Sequence, residues 1–85
     1  MSEEKANPVR QAILDLTTEA GAGKTISAEQ AARAVSDANF QRVLKDVRAE
    51  AVRLHKAGTI LIYRKGKPVE DPDVFKGVYR LGLPA

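Results

Sequence analysis

The sequence predicts an α+β domain of winged helix-turn-helix order, three helices followed by a C-terminal two- or three-stranded β-hairpin wing. Three observations predict it. Capping signals open two helices ahead of a long amphipathic third, two runs rich in β-branched and aromatic residues follow, and a turn-rich connector joins those runs. A chain of 85 residues has a folded surface of roughly 4,900 Å² against roughly 13,300 Å² unfolded, enough for one small core. The expected organisation is a flexible N-terminus over 1–6 and a single domain over 7–85.

Asn7-Pro8 opens the first helix, with asparagine capping free amides and proline tolerated in the first turn, where its missing N–H is not needed. Val9, Ile13, Leu16 and Ala20 then line one apolar stripe, and Gly21 ends it. Lys24-Thr25-Ile26 reads as an extended connector with room for one β-bridge at most. Ser27-Ala28-Glu29-Gln30 is a capping box for the second helix, whose alanines at 28, 31 and 32, with Val35, form a slim packing face.

Asn39 to Ala57 carries the strongest helical pattern. Phe40, Val43, Leu44, Val47, Ala51 and Leu54 share one stripe, Gly58 stands where a left-handed cap belongs, and His55 and Lys56 suit the negative end of the dipole. After Gly58 the period changes. Thr59-Ile60-Leu61-Ile62-Tyr63 reads as one strand, and Gly77 to Leu83 as another with Tyr79, Leu81 and Leu83 on one face. The connector from Arg64 to Lys76 holds Gly66, Pro68 and Asp71-Pro72, which predicts a long, turn-rich excursion instead of a tight turn.

The chain lacks cysteine, so disulfides, thiolate metal sites and thiol nucleophiles are excluded together. The first twenty residues carry Glu3, Glu4, Lys5, Arg10, Asp15 and Glu19, unlike a secretory leader, and the longest uncharged stretch is Ala57 to Tyr63. A cytoplasmic protein with no membrane partner is the expectation. The formal net charge of +3 is unevenly spread. Residues 1–38 carry a net −2, residues 39–67 a net +6, and residues 68–85 a net −1. A polyanion is therefore steered to the middle third.

On the long helix, the apolar stripe centres about 150° from Arg42, while Arg42, Lys45, Arg53 and Lys56 fall between about 300° and about 20°, opposite the core. Asp46 interrupts that basic side and Ala49 leaves a gap in it. The N-terminal part of the second motif helix enters the major groove in helix-turn-helix proteins, which places Asn39, Gln41, Arg42 and Lys45 where base edges and phosphates would be. Arg64-Lys65-Gly66-Lys67 then gives a cationic tip suited to a phosphate backbone. The candidate DNA-binding set is thus Asn39, Gln41, Arg42, Lys45, Arg53, Lys56, Arg64, Lys65 and Lys67. Glu70, Asp71 and Asp73 lie on the same excursion and would repel that backbone unless they face away or pair with cations.

Other motifs fall short of chemistry. Gly21-Ala22-Gly23-Lys24-Thr25 resembles the end of a phosphate-binding loop, but the pattern needs glycine where Thr18 stands and must follow a strand. His55 is the sole histidine and has no adjacent partner for a metal or a catalytic dyad. Glu70-Asp71-x-Asp73 lacks calcium-loop spacing. The expectation is a protein that is not an enzyme, with no catalytic residue, no metal, no cofactor and no small-molecule substrate.

Nearly the whole chain resembles a known family. Val9 to Leu16, Gly23-Lys24-Thr25-Ile26, Val47-Arg48 with nearby alanines, Arg64-Lys65-Gly66-x-Pro68-Val69 and Lys76-Gly77-Val78-Tyr79-Arg80-Leu81 look like a family of short bacterial proteins, a domain of unknown function with winged-helix architecture. The resemblance implies the fold and lends no activity, ligand or catalytic residue. Where that family tends to have proline before the tail x-Arg, this chain has Val78, which leaves one more backbone donor. Arg48 and Arg80 are expected to pair with acids such as Asp15 or Asp71. Two functions compete: double-stranded DNA binding, and protein interaction or homodimerisation through an apolar patch, for which Leu14, Val52 and Leu61 are candidates off the main stripes.

Overall fold

A computed structural model describes residues 7–84, so the reading of residues 1–6 and of Ala85 lies outside the described residues. Helix α1 spans Pro8–Ala20, and the Asn7 side chain accepts from the amides of Val9 and Arg10, both at 3.1 Å. Its buried face is Val9, Ile13 and Thr17. Thr17 is fully buried because its hydroxyl donates to the Ile13 carbonyl at 2.8 Å, which satisfies the polar atom inside the helix itself. Gly21, at φ +89, ends the helix in a conformation that a side chain would strain.

Strand β1, Thr25–Ser27, follows. It is a full three-residue partner of the C-terminal strand, more than the single bridge the sequence suggests. The capping box at Ser27 and Gln30 is complete, and it opens helix α2, Ala28–Val35, whose Ala31 and Ala32 are fully buried. Helix α3, Phe40–Lys56, buries Val47, Ala51 and Leu54 in the same core as those alanines. Slim alanines let α2 and α3 approach closely, and the turn between them is only Ser36 to Asn39.

The β runs differ from expectation at their ends. Thr59 and Ile60 close α3, their amides donating to the Leu54 carbonyl at 2.9 and 3.4 Å, so strand β2 begins at Leu61 and runs Leu61–Arg64. The Arg64 to Lys76 connector is not a single long excursion. Lys65 and Gly66 both have positive φ (53° and 83°), the signature of a two-residue hairpin turn, and strand β3, Lys67–Pro68, pairs back on β2. The excursion proper begins after that turn. It returns to strand β4, Arg80–Gly82, the paired part of the run expected from Gly77.

All pairings are antiparallel, in the order β1-β4-β2-β3. Ile26, Leu81 and Ile62 stand side by side across three strands and are all buried, so one sheet face covers the open side of the helices. The opposite rungs, Ser27, Arg80 and Tyr63, face outward. Phe75 and Ile60 complete the core. No helix among the described residues is long and apolar enough to cross a membrane.

Candidate nucleic-acid interface

The residues expected to meet DNA divide, among the described residues, into those with no ion pair and those already engaged. Asn39, Gln41, Arg42 and Lys45 lie at the exposed start of α3. Asn39 is the N-cap residue, yet its side chain makes no cap bond; its own amide donates to the Ser36 hydroxyl at 3.2 Å, which leaves the Asn39 carboxamide available. The first turn of α3 holds no acid, so the positive end of the dipole is unopposed there. Among the described residues, Arg42 and Lys45 form no ion pair.

Farther along the same face the situation changes. Arg53 Nη1 donates to Glu50 Oε1 at 2.6 Å, and Lys56 Nζ reaches Asp73 Oδ2 at 2.9 Å. Glu50 is 4% exposed and also accepts from Arg10 Nε at 3.3 Å, which ties α1 to α3 through a buried carboxylate. This clamp was not legible as a site, because Glu50 lies just off the apolar stripe and reads as surface.

Lys65 and Lys67 are exposed at the hairpin tip, while Arg64 donates through Nε to the Val78 carbonyl at 3.1 Å. Two acids of the excursion meet local partners while staying exposed. Asp73 pairs with Lys56, and Asp71 Oδ1 accepts from the Asp73 amide at 3.0 Å. Glu70 stays exposed. Among the described residues no three His, Asp or Glu side chains gather as metal ligands.

Several further expectations are corrected. Among the described residues Arg48 and Arg80 do not find acids: Arg48 Nη2 donates to the Phe75 carbonyl at 2.6 Å, and Arg80 donates to the Thr25 hydroxyl at 2.7 Å and carbonyl at 3.1 Å. Neutral oxygens hold both. Leu14 and Val52, expected in an apolar patch, pack against the core, and Leu61 is half-buried. Among the described residues the large apolar side chains that stand exposed are Val74 and Val78. His55 does more than suit the helix dipole, since its Nδ1 accepts from the Ile62 amide at 3.0 Å and joins the end of α3 to β2.

Two arginines meet aromatic rings. Arg33, over Phe40 at 3.8 Å, also bridges Glu29 and Asp37 at 2.7 and 2.8 Å, and hydrogen bonds to these two carboxylates raise its pKa. Burial pushes the Tyr79 phenol up from its ordinary value, with the nearby Arg48 charge opposing.

Three helices, a four-stranded antiparallel sheet, a cationic helix start and a cationic hairpin tip define a small α+β module with a charged surface. The chain belongs to the family described as protein of unknown function DUF3253, whose model matches residues 6–84. No curated protein matches it.

Proposed function

We propose that this protein is a winged helix-turn-helix module that binds double-stranded DNA, with the start of α3 in the major groove and the β2–β3 hairpin along the phosphates. The order of helices, with β1 inserted before α2 and paired to the last strand, supports that architecture. The observation that carries the binding reading is the exposed, acid-free first turn of α3, with Asn39 at its cap, Gln41 and Arg42 on it and Lys45 in the turn after. Asparagine, glutamine and arginine are the side chains that read base edges in the major groove. Lys65 and Lys67 extend the same cationic character to the hairpin, and the pairing of Asp73 with Lys56 lowers the repulsion expected from the excursion.

The competing reading, a protein-docking or dimerisation module, draws on Val74 and Val78, which are exposed apolar side chains on one excursion. One experiment separates the two. Fluorescence anisotropy of a labelled random duplex is followed at about 50 and about 200 mM salt, with the native chain and with Arg42→Glu/Lys45→Glu. The proposal expects affinity to fall by about tenfold or more across that range, which corresponds to about two released phosphates, and expects the double variant not to bind. Absence of binding at the lower salt, or binding indifferent to the charge reversals, removes the DNA reading and favours docking.

A further inference from the structure

We infer that the cleft on the outer face of the sheet is a site for a small ring-bearing anion, a phosphate or carboxylate carried on a planar apolar group. The inference goes beyond duplex binding and does not depend on it.

The cleft has a volume of about 720 Å³ and lies among β1, the β2–β3 turn and the segment entering β4. That volume is in the range of small-ligand sites, roughly 300–1,000 Å³. Its apolar lining comes from Tyr63, Val78 and Tyr79, and its charge from Arg64, Lys65 and Arg80. Among the described residues neither Asp nor Glu lines it. Three cations around one cleft without a carboxylate set up a field that only an anion from solution can neutralise.

The two arginines are also oriented in advance. Arg80 is held by the hydroxyl and carbonyl of Thr25, and Arg64 by the carbonyl of Val78. These acceptors are neutral, so they fix each guanidinium without cancelling its charge. A guanidinium has five N–H donors, and the bonds named here occupy two on Arg80 and one on Arg64, which leaves donors for a ligand. Arg10, Arg33, Arg53 and Lys56 are different, because each reaches a carboxylate. Gly77 contributes as well: at φ +88, a Cβ there would stand 2.6 Å from Arg64 Nη2, so only glycine lets that guanidinium rest against the backbone.

The ring requirement follows from the remaining lining. Val78 is 86% exposed, an apolar side chain that water must cover unless a ligand does. Flat guanidinium and phenol groups beside it favour a planar partner through stacking and cation–π contact. A bare inorganic ion satisfies the charge but leaves this surface wet, and a neutral ring does the reverse. Both halves on one molecule are needed.

The test uses the full chain without nucleic acid and follows backbone amide shifts in two-dimensional NMR during titration with adenosine 5′-monophosphate and with benzoate. Inorganic phosphate and adenosine serve as the separated halves. The expected result is saturable shifts at Thr25, Tyr63, Lys65, Val78 and Arg80 with one or both ring-bearing anions, at least about tenfold tighter than with either half. Adenosine monophosphate alone identifies a phosphate site, and benzoate alone a carboxylate site. Val78→Glu places a carboxylate at the mouth on an exposed side chain and should weaken binding by about tenfold or more with the spectrum otherwise unchanged. Arg80→Gln should weaken it similarly; if that variant loses its fold, Val78→Glu decides. Shifts confined to other surfaces, adenosine binding as tightly as its monophosphate, or indifference to Val78→Glu would each overturn the inference. Failure of duplex binding leaves all of these outcomes readable.

Discussion

Arg48 holds Phe75 twice: its Nη2 donates to the Phe75 carbonyl at 2.6 Å, and its guanidinium carbon lies 3.9 Å over the same residue's ring. The two residues are 27 positions apart, so this contact ties the excursion before β4 to the middle of α3. Tyr79 joins edge-on to Phe75 at 5.0 Å, which gives the excursion a small aromatic base. Arg48→Met keeps most of the stem but removes bond and cation, and should destabilise the protein by about 1–3 kcal/mol in urea unfolding. Combined with Phe75→Leu in a double-mutant cycle, the pair should couple by about 1 kcal/mol. Additive effects would show that the stacking contributes nothing.

The buried carboxylate of Glu50 predicts an asymmetry. Arg10 and Arg53 converge on it from two helices, yet their side chains are 45% and 64% exposed. When Glu50 is replaced by glutamine, both arginines rehydrate, and the loss should be about 1–2 kcal/mol. Replacing both arginines by alanine leaves the carboxylate buried without a counter-charge and should destabilise by about 3 kcal/mol or more. Chemical denaturation of the two variants compares them directly. A double-arginine variant no weaker than Glu50→Gln would mean that water already solvates this carboxylate.

The helices and caps were readable because their determinants are local. Asn7, Ser27 with Gln30, and the stripe through Val47, Ala51 and Leu54 lie within a few turns of what they control. The sheet was less so. β1 depends on Ile26 lying beside Leu81, and no signal within Lys24-Thr25-Ile26 specifies a partner 55 residues away. The Lys65-Gly66 turn was obscured because lysine is an unusual choice for the positive-φ position it occupies. The charge reading of α3 identified the basic face but not its division, since Glu50 and Asp73 become partners of Arg53 and Lys56 only through the fold.

His55 provides a further test of how α3 is joined to the sheet. Its Nδ1 accepts the Ile62 amide, so the ring carries its proton on Nε2 in this arrangement. His55→Ala leaves the amide of buried Ile62 without this partner and should destabilise by about 1–3 kcal/mol. Hydrogen exchange at the Ile62 amide should accelerate more than exchange at Ile13, which is buried in α1 and not paired with β2. Equal acceleration at both would make the effect global and deny the bond a local role.

Tyr79 sets the response to alkali. Burial raises its phenol above the ordinary value of about 10, with Arg48 opposing. A group with a raised folded pKa holds its proton more tightly in the native state, so its contribution is fully present below about 10 and is lost as pH rises through the folded value. The native chain should therefore lose stability above pH of about 10 more steeply than Tyr79→Phe does. Thermal midpoints measured through that interval for both proteins give the slope. Parallel curves would show that the phenol is as well solvated in the folded chain as in the unfolded one.

The division of cations along α3 makes the sharpest functional prediction. Arg42, Lys45, Arg53 and Lys56 all face away from the core, and a simple charge count treats them alike. Their surroundings do not. Arg53 must leave a buried carboxylate 2.6 Å away to meet a phosphate, and Lys56 must leave Asp73 at 2.9 Å, so for these two the gain in a complex is offset by a contact given up. Arg42 and Lys45 have no such contact to lose among the described residues. Single substitution of either by glutamine should reduce the slope of log affinity against log salt by about 1, whereas Arg53→Gln and Lys56→Gln should change it by less than about half as much. Salt titrations of duplex binding with the four variants measure this. Four equal slopes would mean that the whole face of the helix is engaged and that contact is not concentrated at its N-terminal end.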